Sequence, residues 1–162
     1  MVTAHQIQEM INMKGLTILP FHETHMARVN PSKEDRHLFA HMPNFDQMLI
    51  DLAQSKTGFT IFYERQPALC FGLDMRWPTM AEAWLVPGPV SIEHGTLLSR
   101  GTRRFFDKIG PALGLRRLQI VVSVHRERAI QWAKFLKFKE EGLMVQYGPE
   151  GFDYYMYARI YQ

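Results

Sequence analysis

The chain has 162 residues, of which 46% are hydrophobic and 22% charged, so it can bury one sizeable core. This composition excludes a disordered, collagen-like or coiled-coil chain, and the lack of any composition break predicts a single domain over residues 1–162. The formal net charge is only +3, and nucleic-acid binding would rest on one basic helix face alone, so nucleic acid is not an expected partner.

No apolar run approaches the roughly 20 residues that cross a bilayer, and the first residues lack the basic and apolar regions of a signal peptide. We therefore expect no membrane span and a cytoplasmic protein at synthesis. Cys70 is the only cysteine, which excludes an internal disulfide. Its apolar neighbours predict a small buried side chain rather than a nucleophile.

The first half of the chain predicts strands around a helical region. A β-branched run predicts a first strand over residues 16–21, and Asn44 is placed to cap a helix whose apolar residues recur at helical spacing. Two apolar runs at residues 59–63 and 68–73, separated by a polar turn, predict a β-hairpin. Proline and glycine residues end a further predicted strand over residues 81–86.

The second half begins with a central helix and a buried strand. An apolar stripe with a basic shoulder predicts the helix from Leu97 to Leu113. The nearly continuous apolar run over residues 118–124 predicts a central strand beside the strand at 81–86, covered on both faces. Residues 120–122 are therefore expected to be inaccessible to solvent.

A second amphipathic helix is predicted over residues 127–136, followed by two strands at residues 142–147 and 154–161. The turn residues at 148–151 join these strands in a hairpin. The whole order of elements predicts an α/β (α+β) chain with a mixed sheet and helices on its faces.

This order is similar to that of the GNAT fold, the fold of the GCN5-related N-acetyltransferases. The best local match, from Val124 to Phe138, resembles the family's late helix and the aromatic residue after it. Residues 141–143 and the tyrosine-rich hairpin that follows resemble an acetyltransferase-like family of tailed bacteriophages, which includes internal virion proteins of T7-like phages. The resemblance covers roughly residues 57–162 and implies a mixed, mostly antiparallel central sheet with helices on both faces.

In GNAT enzymes, the resemblance implies, acyl-CoA lies where two neighbouring strands splay apart, and its pyrophosphate meets N–H groups at the start of the central helix. The loop at residues 90–95 aligns with the family's Q/R-x-x-G-x-G/A pattern, but only Gly95 matches. Val90 stands at the arginine or glutamine position. Glu93 stands at the first glycine, where its charge would repel a pyrophosphate.

Acetyl-CoA is thus the cofactor that the resemblance implies, at a site whose loop departs from the family pattern. His94 is also a weaker candidate for a base. The residues that would contact the cofactor are Leu85, Val86, His94, Gly95 and Arg126.

Glu82 is the candidate general base, because in this family the end of its strand faces the substrate amine. The alternative, an outward-facing strand glutamate without a catalytic role, stays open. Alignment of the late helix through Phe138 puts Arg126 at the usual asparagine and Ala133 at the tyrosine that often protonates the departing CoA thiolate. Alanine cannot supply that proton, and the tyrosines of the C-terminal hairpin are expected to serve packing.

Two histidine pairs, His22 with His25 and His37 with His41, could in principle bring imidazoles together around a metal. No cysteine or carboxylate completes a recognisable ligand spacing, so no metal site is expected.

Two functions follow from these observations. The first is a phage-type GNAT-fold protein with a degraded acyl-CoA site, located in the host cytoplasm or incorporated into the virion. It would act as an internal core or DNA-ejection protein, or by contacting other virion or host proteins. The second is an active acetyl-CoA-dependent N-acetyltransferase acting on a protein or small-molecule amine, in which Arg100 or Arg126 offsets Glu93 by engaging CoA phosphates.

Overall fold

A computed structural model describes all of residues 1–162. It contains seven α-helices, one short 3-10 helix and seven strands. The helices are α1 Ala4–Ile11, α2 Glu23–Arg28, α3 Lys33–Ala40, α4 Phe45–Ser55, α5 Pro89–Glu93, α6 Gly95–Leu113 and α7 Glu127–Phe135, with the 3-10 turn at Pro149–Gly151. The strands are β1 Leu16–Pro20, β2 Gly58–Tyr63, β3 Gln66–Trp77, β4 Met80–Pro87, β5 Arg117–Ser123, β6 Lys139–Met144 and β7 Tyr154–Ile160.

The seven strands hydrogen-bond in the order β1-β2-β3-β4-β5-β7-β6. Strands β4 and β5 run parallel, while β1 with β2, β2 with β3, β5 with β7 and β6 with β7 are antiparallel. This confirms the predicted mixed, mostly antiparallel sheet and the predicted pairing of β4 with β5. None of the helices combines the length and the apolar character that crossing a bilayer requires.

The chain divides into two compact units: residues 1–73 with 84–101, and residues 74–83 with 102–162. Strands β3 and β4 and helix α6 run continuously through the division. The single domain predicted from the composition stays a prediction.

The first unit is built around an apolar cluster beneath α2 and α4. Cys70 is fully buried in it, which confirms the predicted small buried side chain, and burial raises the pKa of its thiol to about 11. Asn44 precedes α4 as predicted but has left-handed backbone geometry and makes no capping hydrogen bond, so the predicted cap is wrong. The cluster consists of Phe21, Met26, Val29, Leu49, Cys70 and Val86.

In the second unit, α6 and α7 cover one face of β5 and β7. Arg159 on β7 donates to Asp107 of α6 and to the carbonyl of Leu136, and it shares its sheet face with Leu118, its partner on β5. On this face Ile120 and Val122 are 6% and 8% exposed.

Val121 lies on the opposite face of β5, and it is half-buried rather than inaccessible. The prediction of complete burial over residues 120–122 is therefore wrong for Val121.

The C-terminal hairpin forms as predicted, but its first strand lies three residues earlier. β6 ends at Met144, because Gln146 adopts left-handed geometry and its N–H donates to Asp153 Oδ1 at 2.8 Å, which turns the chain. The register of β6 with β7 shifts between Glu140 and Gly142, so Glu141 is the extra residue of a β-bulge.

Candidate active site

Glu82 lies at the end of the parallel ladder between β4 and β5. That ladder has three pairs, and the last joins Glu82 to Gln119. The side chain of Glu82 is 23% exposed, so it is half-buried rather than a free surface glutamate. Its Oε2 accepts a hydrogen bond from Gln119 Nε2 at 2.9 Å, and its Oε1 lies 3.8 Å from Arg76 Nη2.

The hydrogen bond to Glu82 is the middle of a longer series, which we call the polar row: Arg76, Glu82, Gln119, Arg117 and Glu141. Arg117 donates from Nε to Gln119 Oε1 at 3.0 Å. It also donates to both carboxylate oxygens of Glu141, from Nη1 at 3.0 Å and from Nη2 at 2.6 Å. These hydrogen bonds from Arg117 hold the pKa of Glu141 below its usual value.

The carboxyl group of Asp74 interacts electrostatically with Glu82 and Arg76. Asp74 on β3 has its pKa raised, chiefly by desolvation; the negative charge of Glu82 adds to the rise and the positive charge of Arg76 opposes it. The site around Glu82 therefore combines three carboxyl groups, those of Glu82, Asp74 and Glu141, with the guanidinium groups of Arg76 and Arg117. A cationic amine can be attracted there and lose its proton to a carboxylate.

The sequence did not predict Asp74, Gln119 or Arg117 as site residues. Gln119 carried the one usable signal, since it is a polar residue within the apolar run at 118–124. Arg117 and Asp74 gave no signal, because their relation to Glu82 depends on strand register.

The segment aligned with the pyrophosphate loop is helical over residues 89–93, so the expectation of an open loop is wrong. Pro89 occupies the first position of α5, and Ser91 Oγ donates to the carbonyl of Gly88 at 2.7 Å. The N–H groups of Ile92 and His94 donate to the carbonyls of Gly88 and Val90. These groups are already hydrogen-bonded and cannot serve an anion as a loop's would.

Beyond α5 the chain turns at His94, whose ring stacks on Tyr63 at a centroid distance of 3.9 Å. Gly95 then begins α6, and a Cβ built on it would have no atom within 4 Å. This open space beside the start of a 19-residue helix fits the close approach of an anionic ligand to the backbone. Glu93 is exposed two residues before Gly95.

The other residues expected to contact the cofactor differ in burial and in the compact unit to which they belong. Val86 is 7% exposed and its side chain belongs to the first unit's core, while Leu85 is half-buried. In the second unit, Arg126 is the residue before α7, and its N–H donates to the carbonyl of Ser123.

No residue in the second unit clearly replaces the family's tyrosine as an acid. Ala133, at the aligned position, is 2% exposed. Tyr157 is 1% exposed and its pKa is raised, first by desolvation and then by Glu140. Tyr147 and Tyr154 contact each other edge to face at 5.3 Å, in keeping with the packing role predicted for these side chains.

No protein-family model matches the sequence, and no curated protein matches it. Solved structures do. An acetyltransferase of the GNAT family from Bacillus anthracis superposes with a TM-score of 0.71 at 14% identity, over 91% of this chain and 95% of that one. The acetyl transferase of Salmonella typhimurium that modifies the N-terminal serine of ribosomal protein L7/L12 gives 0.69 at 18% identity, over 93% and 97%.

The microcin C7 self-immunity acetyltransferase MccE, in complex with acetyl-CoA and AMP, gives a TM-score of 0.69 at 12% identity, over 96% of this chain and 95% of that one. The chain has the GNAT acetyltransferase fold. At these identities the likeness concerns the fold alone, so the chemistry has to be argued from the residues around Glu82 and Gly95.

Proposed function

We propose that the chain is an acyl-CoA-dependent N-acyltransferase in which Glu82 is the general base. The observation that carries the proposal is the position of Glu82: a half-buried carboxylate, hydrogen-bonded to Gln119, at the last pair of the β4–β5 ladder. In the GNAT resemblance the end of this strand faces the acceptor amine; Glu82 is the third residue of β4, where its pairing with β5 ends.

The acceptor must lose a proton before it can attack, because an ammonium group has no lone pair. Glu82 would take that proton directly or through one water molecule. Asp74 lies near enough to feel the charge of Glu82, and the two carboxyl groups together would favour a cationic acceptor. The acceptor class that fits this site is therefore an amine on a protein or a small molecule.

Acetyl-CoA is the cofactor that the fold implies, and when bound it would supply the activated acyl thioester. The backbone at Gly95 offers open space for its pyrophosphate, and His94 beside it is a polar candidate for a phosphate contact. A phosphate contact by Arg126, which the resemblance implies, stays a prediction. The exposed charge of Glu93 would weaken this binding. Since Ala133 cannot donate a proton, we expect the departing thiolate to be protonated by solvent.

Calorimetry with acetyl-CoA and with desulfo-CoA tests the cofactor, and a thiol reagent that reports released CoA tests the transfer. The protein's own thiol will not interfere, because Cys70 is fully buried. The acceptors to be tried are peptides with a free N-terminus, lysine peptides and small diamines. Glu82→Gln should abolish amine-dependent CoA release, whereas the exposed turn residue in Glu64→Gln should not matter. Absence of CoA binding, or full activity of Glu82→Gln, would refute the proposal.

The likeness to solved acetyltransferase structures gives no support to the phage virion role expected from the sequence, and that role stays a prediction. Its distinguishing test is co-purification of the chain with assembled phage particles. A degraded fold of that kind would bind neither acetyl-CoA nor desulfo-CoA in the calorimeter.

A further inference from the structure

We propose that Gln119 and Arg117 are positioning residues that fix the orientation of the Glu82 carboxyl group. The inference rests on the proposed function, in which Glu82 is the base. Neither of these two β5 residues would contact the amine or the thioester. The inference follows from the direction in which each hydrogen bond of the polar row must run.

The direction is set by Arg117, because a guanidinium group can only donate. Its Nε–H donates to Gln119 at 3.0 Å, so the amide oxygen of Gln119 must face Arg117. The amide nitrogen is thereby turned toward Glu82 and donates to Oε2 at 2.9 Å. A reversed amide would lose one hydrogen bond and place two oxygens against each other.

Arg117 is itself held from the other side. Both carboxylate oxygens of Glu141 accept from its terminal nitrogens, a two-point contact that fixes the plane of the guanidinium group. Glu141 is the bulge residue of β6, so the irregular register of the C-terminal hairpin supplies the end of the row.

The consequence for Glu82 is a carboxyl group fixed at Oε2, where Gln119 donates at 2.9 Å. Its Oε1 lies 3.8 Å from Arg76 Nη2, and this longer contact leaves Oε1 as the oxygen that can take a proton from an amine. The other charged group on β3 that interacts with Glu82 is Asp74. On β5 the uncharged Gln119 makes the contact, and Arg117 beyond it is neutralised by Glu141.

The test is a double-mutant cycle read by NMR of protein containing glutamate labelled with ¹³C at the side-chain carboxyl. Loss of one signal in Glu82→Gln assigns the Glu82 resonance, and its chemical shift at neutral pH is then compared in Gln119→Leu, Arg117→Leu and the double variant. Arg116→Leu is the matched control, because Arg116 is exposed next to Arg117 and hydrogen-bonds through its backbone: its N–H donates to Thr79 and its carbonyl accepts from Tyr161.

Gln119→Leu should change the ¹³C chemical shift of the Glu82 carboxyl signal, because the carboxyl group loses its hydrogen-bond donor. Arg117→Leu should also change it, but much less when Gln119 is already leucine, since only its direct charge effect remains. Gln119→Glu, which replaces the donor with an acceptor, should change the signal too and carries the test if Gln119→Leu does not fold. Arg116→Leu should leave it unchanged.

Equal shifts from Arg117→Leu in both backgrounds, or no shift from either Gln119 variant, would overturn the inference. With an active acceptor, kcat should fall in the same order of variants. Full activity of Glu82→Gln would instead refute the base assignment while leaving the NMR result to decide the positioning. The two failures are therefore distinguishable.

Discussion

Replacement of Gly95 by alanine separates the role of this glycine in folding from a role in ligand binding. A Cβ at Gly95 meets no atom within 4 Å, and its φ lies outside the left-handed region. Alanine is a better helix former than glycine by up to about 1 kcal/mol, and roughly half of that is a fair expectation at the first residue of α6. For a chain of this length the melting temperature should rise by about 1–2 °C.

Gly114→Ala is the matched control at the other end of α6. The space around it is equally empty, but its φ is +64°, which an alanine adopts only with strain. We expect this variant to lose about 1 kcal/mol and to melt a few degrees lower. The same added methyl group should thus stabilise one end of the helix and destabilise the other.

Calorimetry with desulfo-CoA supplies the functional half of the prediction. If the pyrophosphate lies against the backbone at Gly95, the methyl group should obstruct it and weaken affinity by roughly tenfold, about 1.4 kcal/mol. Gly114→Ala should bind as the parent does, measured well below its melting temperature. Unchanged affinity of Gly95→Ala would mean that the ligand does not approach this glycine, and a lower melting temperature would contradict the open space seen in the structure.

Three further variants test separate groups. Glu93→Gly should tighten CoA binding by removing a repelling charge and should slightly lower the melting temperature, measured by calorimetry and by thermal unfolding. If neither the CoA affinity nor the melting temperature changes, the ligand lies elsewhere. The pKa of His25 lies below its ordinary value of 6.5, chiefly because the ring is buried and then because of the charges of Arg28 and His22. The unfolded chain therefore binds the proton more tightly than the folded chain, and stability falls as the pH drops below 6.5. Urea unfolding at about pH 8 and about pH 5 should show this loss in the parent but not in His25→Gln. Burial opposes ionisation of Asp107, but hydrogen bonds from Arg159 and Lys137 lower its pKa overall. Asp107→Asn leaves Arg159, which is 9% exposed, without a counter-charge. We expect this variant to lose about 1–2 kcal/mol of unfolding free energy, measured by urea unfolding at neutral pH.

The elements that the sequence predicted well are those whose side-chain period is unambiguous. The hairpin at β2 and β3 and the strand β4 were found because apolar runs are bounded by turn residues. Helix α5 was missed because proline and glycine residues around Pro89 both end a strand and begin a helix, and the strand ending was the more familiar signal. The position of β6 was missed because a left-handed residue at Gln146, which no pattern announces, ends it.

The candidate site was predictable only in part. Glu82 could be chosen from the resemblance, since the strand that carries it was recognised. The polar row could not, because it requires the register that sets Glu82 opposite Gln119 and the bulge that brings Glu141 to Arg117. Such register is fixed by pairing between distant segments and not by local residue preference.

The two halves of the proposed chemistry depart from the family pattern to different degrees, and this determines what weak activity would mean. The proposed base, Glu82, has a hydrogen-bond donor, and that donor is held in turn by Arg117. The segment aligned with the cofactor site offers few contacts, because the N–H groups of Ile92 and His94 are already hydrogen-bonded within and just beyond α5. A loss of ligand contacts raises the Kd for CoA without altering the proton transfer at Glu82. We therefore expect any acyl transfer to show a high KM for acetyl-CoA, with the deficit in cofactor binding and not in the catalytic base.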